Sequence, residues 1–365
     1  MSGEERVAQV AGDEGARGRS GVRPSATGGV SGEERVAQVA GDEGARGRSG
    51  VRPSATEGVS VRVTGDPPRW SSSGEALAEP RIETPRSTIR AVAARLRAAD
   101  VPSPETDAVL LLAHAWGRAA ADVRRADLLG ETPPEPVVER LEGLVAARVQ
   151  RIPLQHLTGR APFRDLELQV GPGVFVPRPE TEMLVDLAAA GLPQGGRVVD
   201  LCTGSGAIAL ALAAERPDAA VAAVELDPLA RAWADRNRAT LGLDLDLRSG
   251  VAQDAFPDLE GEVDVVVSNP PYIPVGMEPL DPEVRDHDPS VALYGGSDDG
   301  LRIPLEVAAR ARALLRPGGL LVMEHADVQG ATLPAQLERQ GWVEVHDHDD
   351  LTGRPRAVTA RAPQA

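Results

Sequence analysis

The stretch that decides the fold runs Arg197-Val-Val-Asp200-Leu-Cys202-Thr203-Gly204-Ser205-Gly206-Ala-Ile-Ala209, and an Ala/Leu run follows it. Arg197–Leu201 reads as a short apolar strand, and the Ala/Leu run as the helix after it. Between them, Gly204 and Gly206 let the backbone turn sharply and approach a ligand closely, while the helix N-terminus offers free N–H groups to an anion. About twenty residues on, Glu225 closes a second strand, where an acid commonly accepts hydrogen bonds from ribose hydroxyls. Strand, glycine turn, helix and acid-terminated strand together predict a nucleoside-cofactor site.

Outward from this unit, strands and helices keep alternating. Strands are predicted at Arg197–Leu201, Ala220–Leu226, Leu243–Arg248, Val263–Ser268, Gly319–Glu324, Val343–His348 and Ala357–Arg361, with helical patterns filling most of the gaps. Such alternation implies a mostly parallel sheet covered by helices on both faces, with ligands at the carboxyl ends of the strands.

Ser268-Asn269-Pro270-Pro271-Tyr272-Ile273 leaves the apolar strand Val263–Val267 at that same carboxyl edge. Two consecutive prolines remove two backbone donors and fix two φ angles, leaving rigid carbonyls without competing N–H groups. Asn269 adds a side-chain acceptor and Tyr272 a flat aromatic face, so a planar NH2 group would find acceptors and a stacking surface. Gly204-x-Gly206-x-x-Ala209 also satisfies the dinucleotide fingerprint, which keeps a nicotinamide enzyme as a rival. Against it, Asp200 at the strand end would repel a pyrophosphate but suit a sulfonium or an α-ammonium group, and the proline-rich turn has no part in dinucleotide binding.

Upstream the pattern is helical. Ser87 or Thr88 can cap a helix carrying Ile89, Val92 and Leu96, and Ser103-Pro104 opens a second that runs to Gly117. Further helices are predicted at about 119–129 and 136–150. Phe163 to Phe175, broken by Gly171-Pro172-Gly173, reads as a β-hairpin, and Pro179-Glu180-Thr181-Glu182 opens another helix. Ser2–Thr27 recurs unchanged as Ser31–Thr56 with no sustained period, so a disordered tail is expected over 1–84.

Composition bounds the function. The chain has 365 residues, 42% of them hydrophobic, and its longest apolar runs fall far short of the roughly 18 residues a membrane-spanning helix needs. No secretory signal is read at the start, and Cys202 is the sole cysteine, which excludes an intrachain disulfide and fits a reducing cytoplasm. A net charge of −16 argues against gripping nucleic acid through its phosphates. All 39 basic residues are arginine, so a phosphate-loop lysine is excluded. Six scattered histidines support no metal site; His346-x-His348 reads as a solvated edge. Between Asp244 and Asp299 fourteen acidic residues face only Arg248 and Arg285, which makes this run either a solvated face or a dock for a basic partner loop.

The Asn-Pro-Pro-Tyr turn beside the glycine loop resembles the class I S-adenosylmethionine-dependent methyltransferases that modify exocyclic or amide nitrogens. From about Pro85 to Arg361 the chain is similar to one branch, the bacterial peptide chain release factor glutamine methyltransferases. Three further segments carry this closer match: Arg151-Ile-Pro-Leu-Gln-His-Leu-Thr-Gly159, Val174-Phe-Val-Pro-Arg-Pro-Glu-Thr-Glu182 and Leu321-Val-Met-Glu324-His325. Alternative acceptors within the motif class are a nucleobase of RNA or DNA, or a ribosomal-protein glutamine.

The resemblance implies a seven-stranded Rossmann-like sheet over 179–365, preceded by a helical substrate-recognition domain (85–158) and a β-hairpin linker (159–178). It implies S-adenosylmethionine held by Asp200, Cys202, Thr203, Gly204, Ser205, Gly206, Glu225, Asp254, Ala255 and Asn269, with Cys202 where glycine is common. Asn269, Pro270, Pro271 and Tyr272 would be catalytic and, with Phe175 and Arg178, would meet the substrate. The implied acceptor is the glutamine of the Gly-Gly-Gln loop of class 1 release factors, with no nucleic-acid or membrane partner, and a monomer is expected.

Overall fold

The computed structural model describes residues 87–364; the tail expected to be disordered lies outside them. Five helices come first: α1 (Thr88–Ala98), α2 (Pro104–Trp116), α3 (Ala120–Leu128), α4 (Glu135–Val149) and the single-turn α5 (Leu154–Thr158). Ser87 caps α1, its hydroxyl accepting from the Arg90 N–H, and Gly117 ends α2 in the left-handed conformation that glycine adopts without a Cβ clash. Ser103 precedes α2 without a capping bond, because proline at the first helical position already removes one of the orphan donors. Their apolar faces close on one core containing Val92, Leu96, Leu111, Leu112, Leu141 and Val145.

A two-stranded antiparallel hairpin follows, β1 (Arg160–Phe163) and β2 (Leu166–Gln169). Here the structure corrects the sequence reading. The turn is at Arg164-Asp165, with Arg164 at φ +53°, and Gly171-Pro172-Gly173 lies beyond the hairpin. Those glycines serve close approach instead: a Cβ on Gly171 would sit 2.7 Å from the Trp233 ring, and one on Gly173 would sit 2.9 Å from Leu229.

The rest alternates as expected: α6 (Glu182–Gly191), β3 (Arg197–Leu201), α7 (Ala207–Glu215), β4 (Ala220–Glu225), α8 (Pro228–Leu241), β5 (Asp246–Ser249) and β6 (Val263–Ser268). After them come α9 (Pro282–His287), α10 (Arg302–Leu314), β7 (Leu315–Glu324), α11 (Thr332–Arg339), β8 (Val343–Asp349) and β9 (Pro355–Arg361). The third strand is shorter than predicted, since Leu243 and Leu245 precede it as packing residues. The fifth starts earlier, at Leu315. One seven-stranded sheet results, ordered β5-β4-β3-β6-β7-β9-β8, with β9 antiparallel to both neighbours and the other pairings parallel. Cores cover both faces, one around Val199, Val266, Leu321 and Leu314, the other around Val198, Val265, Leu210 and Leu212.

From β3 the chain winds one way to β4 and β5, then returns to the other side of β3 as β6. The strand order therefore reverses between β3 and β6, and an open sheet of this kind forms its binding crevice outside the carboxyl ends at that point. Register sets Leu201 beside Ser268 and Ser268 beside Met323, so Cys202, Asn269 and Glu324 leave adjacent strands at one edge.

Candidate active site

A cavity of about 300 Å³ opens at this edge, the lower end of the range for small-molecule sites. Cys202, Thr203, Gly204, Ser205 and Glu225 line one side. Asn269, Pro271, Tyr272, Thr181 and Glu324 line another, and Phe175 and Arg178 are also in its wall.

The glycine loop is held by the acids around it. Glu225, 9% exposed at the end of β4, accepts from the Gly204 N–H through Oε2 and from the Asp227 N–H through Oε1, both at 2.8 Å. Burial raises its carboxyl above the ordinary glutamate value. Asp200 is fully buried; its Oδ2 accepts from the Thr203 hydroxyl at 2.6 Å, and burial pushes its pKa up to about 7. It does not reach the cavity wall. Through the Thr203 hydroxyl the carboxylate holds the glycine loop. Gly206, at φ +86°, likewise begins α7 behind the wall, where a Cβ would meet Leu210 at 2.9 Å. Cys202 sits at φ +68°, a conformation that explains why glycine suits this position; burial raises its thiol pKa far above the ordinary value.

Asp254 and Ala255, expected to hold the cofactor, lie outside the cavity lining. The single turn Ala252–Asp254 leaves Asp254 exposed to solvent, Ala255 buried away from the cavity, and Phe256 in the core beneath the Arg248 guanidinium. Val251, Ala252 and Gln253 line the cavity in their place. Pro270 is buried, while Asn269, Pro271 and Tyr272 stand in the cavity wall.

Long-range contacts hold the proline turn. The Asn269 amide Nδ2 donates to Thr181 Oγ1 at 3.3 Å, and the Tyr272 hydroxyl donates to Glu324 Oε1 at 3.1 Å. Gln329 Nε2 donates to the Tyr272 and Asp299 carbonyls at 3.0 and 2.9 Å, and Ile273 pairs with Leu293 and Gly295. Arg178 stacks on the Phe175 ring and pairs with Asp288 at 2.8 Å; burial still pushes Asp288 up to about pKa 6. Most of the acidic run is neutralised in the same way, including Glu260 by Arg310, Glu262 by Arg197, Asp264 by Arg316 and Glu283 by Arg148. His348 Nε2 lies 2.8 Å from Thr359 Oγ1 on the neighbouring strand.

Residues 87–159 match the family described as PrmC N-terminal domain, and residues 167–278 match the methyltransferase small domain. A release factor glutamine methyltransferase of Streptomyces coelicolor is 53% identical over 73% of this chain and 94% of its own length. That of Mycolicibacterium smegmatis is 49% identical over 75% and 96%, and that of Deinococcus radiodurans 41% identical over 76% and 98%. The chain belongs to the release factor glutamine methyltransferase family. It is a methyltransferase, and the nicotinamide alternative falls away.

S-adenosylmethionine fits the residues that a release factor glutamine methyltransferase places here. A Cβ on Gly204 would meet nothing within 4 Å, so the loop faces open space where a ligand can lie against the backbone. Each Glu225 oxygen already accepts one N–H and retains a lone pair for a hydroxyl. Thr181, Gln253 and Glu324 are cavity residues that the site reading omitted. Glu324 stood within the quoted Leu321–His325 segment, but its role depends on contacts more than fifty residues away in the chain.

Proposed function

We propose that the cavity transfers the methyl group of S-adenosylmethionine to the side-chain amide nitrogen of the glutamine in the Gly-Gly-Gln loop of class 1 release factors. The observation that carries this reading is Asn269 lining the same cavity as the glycine loop, the NH2 end of its carboxamide engaged by Thr181. When bound, S-adenosylmethionine supplies a methyl group already made electrophilic by its sulfonium.

The residues of the chain then have to bind and orient. Glu225 accepts from the ribose hydroxyls, the backbone of Gly204 and Ser205 lies along the ligand, and Val251, Ala252 and Gln253 form the slot for the base. An amide nitrogen is a weak nucleophile because its lone pair is delocalised, so positioning dominates. Asn269 Oδ1 accepts an acceptor-amide N–H, fixing the nitrogen, and this hydrogen bond strengthens as positive charge develops there. Tyr272, tethered by its hydroxyl, presents its ring to the amide plane, while Pro270 and Pro271 keep the turn stiff. The alkylated amide releases its proton to solvent.

Residues 85–158 are assigned to recognition of the release factor, 159–178 to the linker and 179–365 to catalysis, in a cytoplasmic monomer without a nucleic-acid partner. The net charge of −16 supports a protein acceptor over RNA. Methyl-labelled S-adenosylmethionine incubated with release factor, ribosomal protein and tRNA tests the assignment: label is expected on the release-factor glutamine alone, and label on RNA would refute it.

A further inference from the structure

Directly behind the Asn-Pro-Pro-Tyr turn, at the end of β7, lies a carboxylate that is 1% exposed. From its contacts we infer that Glu324 is a positioning residue for methyl transfer, dictating through Thr181 which end of the Asn269 carboxamide faces the acceptor. The inference rests on the assignment of Asn269 to the acceptor amide.

The argument is one of donor and acceptor counting. An ionised carboxylate only accepts hydrogen bonds, and a threonine hydroxyl has a single hydrogen to give. Thr181 donates it to Glu324 Oε2 at 2.7 Å, while Tyr272 donates to Oε1. Toward Asn269, Thr181 therefore presents only lone pairs, and these are satisfied by the NH2 end of the carboxamide. Oδ1 is the end left for the cavity. With the carboxamide reversed, its NH2 would confront the NH2 of the acceptor, donor against donor.

The chain order Glu324, Thr181, Asn269 joins β7, the segment before α6 and the exit of β6, and the β6–β7 register brings its two ends together. Glu324 is also faced by Arg356 on β9, by Glu180 beside Thr181 and by Tyr272; His325 turns the other way, to Asp347. Burial raises the Glu324 carboxyl to about pKa 7, offset in part by its hydrogen bonds and by Arg356. Once protonated, Glu324 can itself donate, Thr181 is free to turn toward Asn269, and the constraint on the carboxamide is lost.

The test uses the fact that Asn237 and Asn269 are the only asparagines in the chain. In protein labelled with ¹⁵N-asparagine, the Asn269 side-chain NH2 signal is expected to move with pH through about 7. That of Asn237, bonded to the Gln169 and Ser205 carbonyls, stays put. Glu324→Gln and Thr181→Val abolish the movement and Thr181→Ser keeps it. In methylation of release factor, Glu324→Gln lowers kcat by about tenfold or more, with KM for the release factor changed less than about threefold. Wild-type kcat rises with pH up to about 7, and the variant loses this limb. An Asn269 signal that ignores pH in the wild type, or a Glu324→Gln enzyme with wild-type kcat, overturns the inference. Should the wild type transfer no methyl to release factor, the proposed function fails while the spectra still decide the carboxamide relay. Should Glu324→Gln fail to fold, the Thr181 pair carries the same comparison.

Discussion

The two sides of the cavity are built on different plans. On the proposed donor side, the glycine loop and Glu225 come from one βαβ unit, Arg197 to Glu225, joined by Val251, Ala252 and Gln253 from just beyond β5, and the loop's main bond ties Gly204 to a glutamate 21 residues away. On the acceptor side, Asn269 and Tyr272 are aimed by Thr181, 88 residues from Asn269, and by Glu324, 52 from Tyr272. The first surface is largely backbone and forms with its own supersecondary unit; the second is side-chain chemistry that exists only once the sheet is complete. Loss of a donor-side group should thus appear in cofactor affinity, and loss of an acceptor-side group in turnover.

The largest expected effect breaks the acceptor side alone. Asn269→Ala should lower kcat by about 10²-fold or more and leave S-adenosylmethionine affinity nearly unchanged in calorimetry. Unchanged turnover would refute the acceptor-side assignment. Its counterpart, Glu225→Ala, should weaken cofactor binding by at least about tenfold with a smaller fall in kcat at saturating cofactor.

Next in size is Gly300→Ala. Gly300 lies at φ +73°, and a Cβ there would sit 2.1 Å from the Tyr272 carbonyl, which cannot yield without moving the proline turn. Turnover should fall by about an order of magnitude with cofactor affinity retained, and a drop confined to cofactor affinity would erase the distinction between the two sides.

A smaller effect is read in stability against pH. Asp200 is raised from 3.8 to about 7 and Glu324 from 4.5 to about 7, so across those windows the folded chain keeps protons that the unfolded chain has released. These two groups therefore favour the fold most below the unfolded values, and that contribution is lost as pH rises toward 7. Asp200→Asn should raise Tm relative to wild type at pH 8 and not at pH 4; an equal difference at both would show that Asp200 carries no such penalty. Smallest of all, Cys202→Gly relieves a left-handed residue and should change stability by no more than about 1 kcal/mol, a Tm shift of a few degrees at most.

This contrast also explains what could be read from the sequence. Periodicity exposed the alternating sheet, the helical region before it, and the βαβ unit with Glu225, because each follows from local spacing. The Asn-Pro-Pro-Tyr turn was legible for the same reason. Sequence shows that Asp200 ends a strand but not that its side chain bonds to Thr203 of the loop, nor that a single turn at Ala252–Asp254 leaves Asp254 exposed; the hairpin turn lies at Arg164-Asp165, and the glycine pair expected there packs against Trp233 and Leu229 instead. Thr181 stood in a quoted segment, but its partners could not be read there. A threonine at the start of a helix looks like a capping residue, yet its hydroxyl is spent on Glu324, 143 positions away.

Arg148, 3% exposed at the end of α4, joins Asp107 to Glu283 of α9, and Arg151 reaches both Glu283 and Asp281. The segment carrying α9 continues from the Asn-Pro-Pro-Tyr turn and is pinned again at Asp288. The helical piece and the chemistry are consequently not interchangeable parts: a chimera that imports α1 to α5 from a distant relative would leave Glu283 half-buried and without its arginines unless residues 281–288 travelled along with them.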